Sequence, residues 1–319
     1  MNILKRIQFL KNAVLHANYY WKLLHNSKFL NERYLGEILR NTHSLEKGLS
    51  LENIRKGFGL AKVQATYSII LNYKSNGGDM SAEPLVMFVA ALKAYLNYHK
   101  SANFSNENIC KITKMYKELS PLVHTKKDSY GGTLKISRKN FNEEEQDIIA
   151  RLFNSRHSMR EFCNLPVDDD KLKMAIELAM RCPSACNRQC YRLHIINKES
   201  FHLLNNWFDG IGGFANELDK MLFVTGKVSV YRTEELHQWI VTGTVFASYL
   251  TLSLEANNIG CCFVQRPVLP DPTWNNIAKT IGASEDEQLI CCLGIGSLKD
   301  EYTVPVSHRL DYDKIVNQI

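Results

Sequence analysis

A chain of 319 residues is long enough for about two domains, at roughly 150 residues each. Its 45% hydrophobic and 23% charged residues, with 17 Gly and 8 Pro, describe an ordinary globular protein and exclude collagen-like, low-complexity and disordered classes. The net charge of +6 conceals an asymmetry: residues 1–140 hold 22 Lys/Arg against 9 Asp/Glu (+13), and residues 141–319 hold 17 against 24 (−7).

That asymmetry places a domain boundary near residue 140. No apolar run approaches the roughly 20 residues that span a bilayer, so no transmembrane segment is expected. Asn12, His16 and Asn18 interrupt the apolar character of residues 1–30, and no secretory signal is expected either.

Residues Ile3, Ile7, Leu10, Val14, Ala17, Trp21 and Leu24 recur at alternating spacings of four and three, a helical stripe. The same thirty residues carry five Lys/Arg and no acid. The stripe is expected to pack on its own domain or on the same helix of a second subunit. The rival reading lays residues 3–24 on an anionic membrane surface. Further helical patterns fall at 30–43, 52–73, 82–100 and 105–119, with Ser81 and Ser105 as N-caps and Pro84 in a first turn. Residues 1–140 therefore read as a basic α-helical domain. Between two of its helices, His43-Ser44-Leu45-Glu46-Lys47-Gly48 gathers an imidazole, a carboxylate and an ammonium. It reads either as a helix end closed by Gly48, with Ser50 capping the next, or as a substrate contact made by His43, Glu46 and Lys47.

From residue 141 the pattern alternates. A helix at 142–153 carries Ile148, Ile149 and Leu152, and Asp168 caps a second helix that ends before Pro183. Apolar runs at 192–196, 221–225, 260–264 and 289–295 read as strands, and a long helix covers 233–257. The expected class is α+β, a sheet covered by helices and preceded by the helical domain. Nine cysteines, an odd number, form no disulfide framework; the pairs Cys261–Cys262 and Cys291–Cys292 sit in apolar runs, which fits a reducing, cytoplasmic compartment. Cys182, Cys186 and Cys190 lack a usual cluster spacing and a fourth ligand, so no metal is expected. No P-loop, Ser/His/Asp or zinc-finger arrangement occurs, and no nucleic-acid partner is expected.

Arg156-His157-Ser158-Met159-Arg160, then Pro166-Val167, then Pro183-Ser184-Ala185-x-Asn187-x-Gln189 follow the order and spacing of the nitroreductase family of FMN-dependent oxidoreductases. Residues 141–319 resemble that family, including the stretch from Asn258 through Ile290–Gly296 to Arg309. Cys190 departs from it, standing where a proline commonly follows the glutamine. The resemblance implies an FMN-binding domain over 141–319. Arg156, Ser158 and Arg309 would lie at the phosphate, His157 among the other cofactor contacts and Arg160 near the flavin pyrimidine edge. Pro183, Ser184, Asn187 and Gln189 would lie along the ring, with Gln265 and Arg266 near flavin N5. The residue types suit those tasks, because a guanidinium fork matches phosphate and a carboxamide donates and accepts at once. The resemblance further implies NAD(P)H as electron donor, a small-molecule substrate and a homodimer with flavin at its interface. The alternative function is an interaction protein, with or without flavin, recruited to a membrane surface or acidic partner by the basic half.

Overall fold

The computed structural model describes residues 3–123, 130–137, 139–208, 213–264 and 272–318. Five helices come first: α1 (Ile3–His25), α2 (Leu30–Leu49), α3 (Leu60–Ser75), α4 (Glu83–Ser101) and α5 (Glu107–Leu119). Then follow α6 (Glu143–Ser155), α7 (Asp169–Ala179), β1 (Tyr191–Asn197), β2 (Lys220–Lys227), α8 (Gln238–Ala256), β3 (Ile259–Val264), α9 (Pro272–Thr280), β4 (Glu287–Ser297) and α10 (Tyr312–Ile315). The four strands form one antiparallel sheet in the order β1-β2-β4-β3. The class is α+β, with a helical region preceding the sheet, as the sequence leads one to expect.

Local chemistry accounts for most boundaries. Asp168 Oδ1 accepts the N–H groups of Asp170 and Lys171 and so starts α7. Asn142 and Glu145 form a reciprocal capping box at α6. Several boundaries differ from expectation. Asn106, and not Ser105, caps α5 by accepting the Ile109 N–H. Ala82, and not Ser81, precedes α4. The chain turns through left-handed backbone at Gly57 and Gly59, so α3 begins at Leu60, well after 52.

Alternation explains the sheet. Leu222 and Val224 of β2 pack in one core with Cys261 and Cys291, while Met221 and Phe223 pack in another with Cys262 and Cys292. Each adjacent cysteine pair is thus split between the two faces of a doubly covered sheet, which is why the runs look uniformly apolar. A third core, Ile38 to Val123, belongs to the helices alone. The end of α1 and the turn after it join the sheet side: Tyr20, Leu23, Leu24 and Phe29 share a core with Trp239, Phe246 and Leu250, and the Tyr20 and Trp239 rings lie 5.9 Å apart. The rest of the α1 stripe does not pack on its own chain, contrary to one form of the expectation; Ile3, Ile7, Leu10 and Val14 are exposed.

The helices meet the sheet side through α2. A Cβ on Gly36 would come within 2.4 Å of the Val230 carbonyl, so the two backbones approach as only glycine permits. Ion pairs flank this contact. Lys227 Nζ lies 2.9 Å from Glu32, and Arg232 donates twice to Glu37, which also accepts from Arg40 at 2.8 Å. Burial pushes the Glu37 carboxyl up, but the two arginines outweigh it and hold the group below its ordinary value. Here the acids come from the basic half and the bases from the acidic half. Of these contacts, only Lys28–Glu285, 2.7 Å, has the polarity that net charge implies. Net charge sets long-range attraction and not contact polarity.

A buried polar cluster bridges β1, β2 and β4. His194 Nε2 lies 2.7 Å from Glu287 Oε2, and Thr225 Oγ1 donates to the same oxygen at 2.6 Å. Burial pushes the Glu287 carboxyl up, yet these bonds bring it down to about 2. A carboxyl depressed in the folded state stabilises the fold above its unfolded value, about 4.3, and loses that contribution as pH falls through about 2. Acid titration of stability should therefore steepen between those values, by about 3 kcal/mol for this group. Glu287→Gln should remove that part of the slope in urea unfolding measured at successive pH values. An unchanged acid limb would contradict the assignment.

Candidate functional site

The two main stretches singled out in the sequence stand at opposite edges of the sheet. The first leaves α6 at Arg156 in extended backbone and runs beside the edge strand β3. The Met159 N–H donates to the Cys261 carbonyl at 2.9 Å, and the Cys163 N–H to the Ser297 carbonyl at 3.0 Å. Met159 and Phe162 are buried over Gly260 and Gly296, register partners on β3 and β4. A Cβ on Gly260 would meet Met159 Sδ at 2.9 Å, and one on Gly296 would meet the Phe162 ring at 2.6 Å. The glycine pair is what lets the segment lie flat.

This leaves the polar members toward solvent: Arg156, His157 and Ser158 are half-buried and Arg160 is exposed. His157 Nδ1 bonds the Ser155 carbonyl at 2.7 Å, and Arg160 donates to the Ser158 carbonyl at 3.3 Å. Burial pushes the Cys261 thiol up to about 12 and raises that of Cys262; the charges of Arg156 and Arg160, respectively, act in the other direction. Among the described residues neither arginine is paired with a carboxylate. Two unneutralised guanidinium groups, a hydroxyl and an imidazole within five residues form a donor set that fits an anionic ligand such as a phosphate.

The second stretch, Pro183–Gln189, links α7 to β1 at the far edge. Two strands intervene, so about 14 Å separates the edges at ordinary strand spacing. Three residues in four have left-handed backbone: Cys186 (φ 52°), Asn187 (φ 55°) and Gln189 (φ 44°). Such conformations cost about 1–3 kcal/mol each and persist only when their surroundings over-determine them. Three bonds brace the loop: the Ala185 N–H donates to Thr242 Oγ1 (3.4 Å), the Gln189 N–H to Ser184 Oγ (3.2 Å), and Gln189 Nε2 to Asn187 Oδ1 (3.1 Å).

The clamp itself is Arg188, a residue that no sequence motif singles out. Its side chain is fully buried and lies over the Tyr231 ring, 4.3 Å from the centroid. Its guanidinium donates to both Glu235 carboxylate oxygens, one at 2.8 Å, and to the Val230 carbonyl at 3.3 Å. The available signal was a single charge among the small and polar residues 182–190, with an acidic pair at Glu234–Glu235. Cys182 and Cys190 are buried here and their thiols raised by burial. Cys190 Sγ donates to the Trp239 carbonyl at 3.8 Å, Tyr191 donates to the Met180 carbonyl at 3.4 Å, and the Tyr231 and Thr242 hydroxyls share a bond of 3.0 Å. Among the described residues no cluster of three or more His, Cys, Asp or Glu could hold a metal.

A cleft of about 430 Å³ opens beside this loop, where α2 and α4 face α7 and β1. Leu35, Leu39, Met87, Met180, Gln189 and Arg192 are among its walls. His43, Glu46 and Lys47 do not line it. They lie in the last two turns of α2, which runs through to Leu49, so the expected turn between helices is helix, and Ser50 closes it. The Glu46 carboxylate accepts the Gly132 N–H at 3.2 Å, and burial holds it above its ordinary value. Burial, then the Lys47 charge, hold His43 below its own. Arg309 is exposed beyond β4 and donates to the Ser307 carbonyl. Gln265 and Arg266 lie outside the described residues.

Residues 154–210 match the nitroreductase family. That segment contains the Arg156–Arg160 stretch and the whole Pro183–Gln189 loop, so the likeness read from the sequence is borne out there. The nitroreductase family is one of oxidoreductases. Solved structures similar to this chain include an FMN-dependent nitroreductase from Clostridium difficile, at 20% identity and a TM-score of 0.45, covering 53% of this chain and 98% of its own. A putative nitroreductase from Bacillus subtilis has 15% identity and a TM-score of 0.46, with 55% and 100% covered. A putative NADH oxidase from Clostridium acetobutylicum has 17% and 0.44, with 52% and 97% covered. No curated protein matches the chain.

Proposed function

We propose that this protein is an FMN-dependent oxidoreductase of nitroreductase type and that it works as a homodimer. The observation that supports this reading best is the placement of the two nitroreductase-like stretches at opposite edges of one sheet. Within a single chain the two stretches are separated by the width of a sheet that is covered on both faces. A two-fold axis that sets the β3 edge of one chain against the β1 loop of another brings them together twice. The unneutralised Arg156 and Arg160 suit an anionic cofactor, and the strained loop suits a flat one. The chemistry supplied by bound FMN would be hydride transfer through N5 between NAD(P)H or an organic substrate and a second acceptor.

The chain's own residues would hold and tune that group. Arg156, His157, Ser158 and Arg309 bind the phosphate, Arg160 stabilises negative charge on the reduced ring, and Asn187 and Gln189 hold polar ring edges. Gln189 also lines the 430 Å³ cleft, which puts a substrate-sized space beside the ring position. In this reading residues 1–140 are a helical unit whose α2 and α4 wall that space. His43, Glu46 and Lys47 serve substrate only if the ligand extends past the cleft.

The purified protein should be yellow and should release FMN, and no FAD, on denaturation. Arg156→Ala and Asn187→Ala chains, each flavin-poor alone, should recover flavin in about a quarter of sites when mixed, because half of the dimers then carry one intact site. Colourless protein that takes up no added FMN would sink the flavin reading. Flavin in the wild type with no recovery on mixing would sink the shared site.

A further inference from the structure

α1 ends inside the fold but begins outside it. Tyr20, Leu23 and Leu24 are 5–8% exposed, whereas Ile3, Ile7, Leu10 and Val14 are 52–74% exposed and Trp21 is 55% exposed. Those five share one face, because their spacings of four, three, four and seven follow the helical repeat. The helix is 23 residues, about 35 Å, and most of its apolar face is exposed. A helix of this kind owes its stability to whatever covers that face.

Charge says what the cover is. Lys5, Arg6, Lys11 and Lys22 lie on α1, and no acid occurs before Glu32. Among the described residues none of these four reaches a carboxylate; the nearest pair in sequence is Lys28–Glu285, after the helix has ended. A second copy of α1 is a poor match. In a parallel two-stranded coil, the positions flanking the seam would set Arg6 against the partner's Lys11, like charge against like. Leu24, the last residue of the seam, is already buried in its own chain. An anionic lipid surface meets every requirement: acyl chains for the stripe, headgroups for the cations and an interfacial depth that suits tryptophan. Among the described residues no helix is long and apolar enough to cross a membrane, so the contact is one of lying on the surface.

We propose that α1 is a membrane-surface anchor that lays Ile3, Ile7, Leu10, Val14 and Trp21 on anionic lipid. The proposal does not rest on the flavin reading.

The test is flotation of the full-length protein with vesicles of phosphatidylcholine, with and without phosphatidylserine. The protein should float with the anionic vesicles at low salt, stay behind with the neutral ones, and be released as ionic strength rises. Lys11→Gln should weaken binding roughly fivefold. The double variant Ile7→Asp/Val14→Asp should abolish it with the circular dichroism spectrum unchanged, since both side chains are exposed. Absence of flotation, or flotation indifferent to lipid charge and salt, would overturn the anchor. So would a double variant that halves the native mass while vesicle binding was never seen, since α1 would then be a seam between copies.

Discussion

Arg188→Ala should lower the unfolding free energy by about 2–3 kcal/mol, somewhat below the 3–5 typical of a fully buried pair because Glu235 keeps 24% of its side-chain surface. The loss has two parts. The Glu235 carboxylate loses both of its guanidinium bonds, and Tyr231 loses the cation stacked on its ring. The loop then has less to hold Cys186, Asn187 and Gln189 in left-handed backbone. Arg188→Lys should recover little, because one ammonium cannot reproduce two parallel bonds and a stacked plane. Urea unfolding measures both variants. A change below 1 kcal/mol would mean that the loop is held by Ser184 and Thr242 and not by the arginine. Flavin content reads the second consequence: a relaxed loop should bind the cofactor more weakly even though Arg188 makes no proposed contact with it.

The parts legible in the sequence were those fixed by short-range rules. All four strands lie within two residues of their apolar runs, and Asp168 starts α7 through its own side chain. The match over 154–210 rests on residues close together in sequence, and that is the kind of pattern spacing can reveal. What sequence could not supply was partnership. Arg188 looked like any loop charge because Glu235, Tyr231 and Val230 lie far along the chain. The run His43–Lys47 looked like a turn because Gly48 usually ends helices, but here packing of Leu45 and Leu49 carries α2 one turn further. The stripe of α1 is a true helical face, yet periodicity cannot say whether its cover lies in the same chain. The opposite net charges of the two halves imply a long-range attraction, yet the contacts at Glu32 and Glu37 run against it, because net charge does not fix the polarity of individual contacts.

Arg160 and Arg309 should separate the two tasks that the proposed site combines. Both are exposed guanidinium groups whose only hydrogen bonds among the described residues go to nearby backbone carbonyls, Ser158 and Ser307. Neither has a structural partner whose loss would unfold the chain, so their substitution reads function more than stability. Arg309→Ala removes a charge-assisted bond to the cofactor phosphate and should weaken FMN binding by about 1.5–3 kcal/mol, with little change in the bound flavin's potential. Arg160→Ala removes positive charge from beside the pyrimidine edge. That charge favours the reduced, anionic ring over the oxidised one, so its loss should lower the bound potential and slow reduction while oxidised FMN is largely retained. Arg160→Lys should restore much of the potential, since a point charge suffices there; Arg309→Lys should restore less of the affinity, since phosphate geometry favours the fork. Redox titration and FMN affinity measured on all four variants decide the matter. Equal effects of Arg160→Ala and Arg309→Ala on both quantities would show that the two arginines act on the same part of the cofactor, and the division of roles between the β3 edge and the C-terminal stretch would fail.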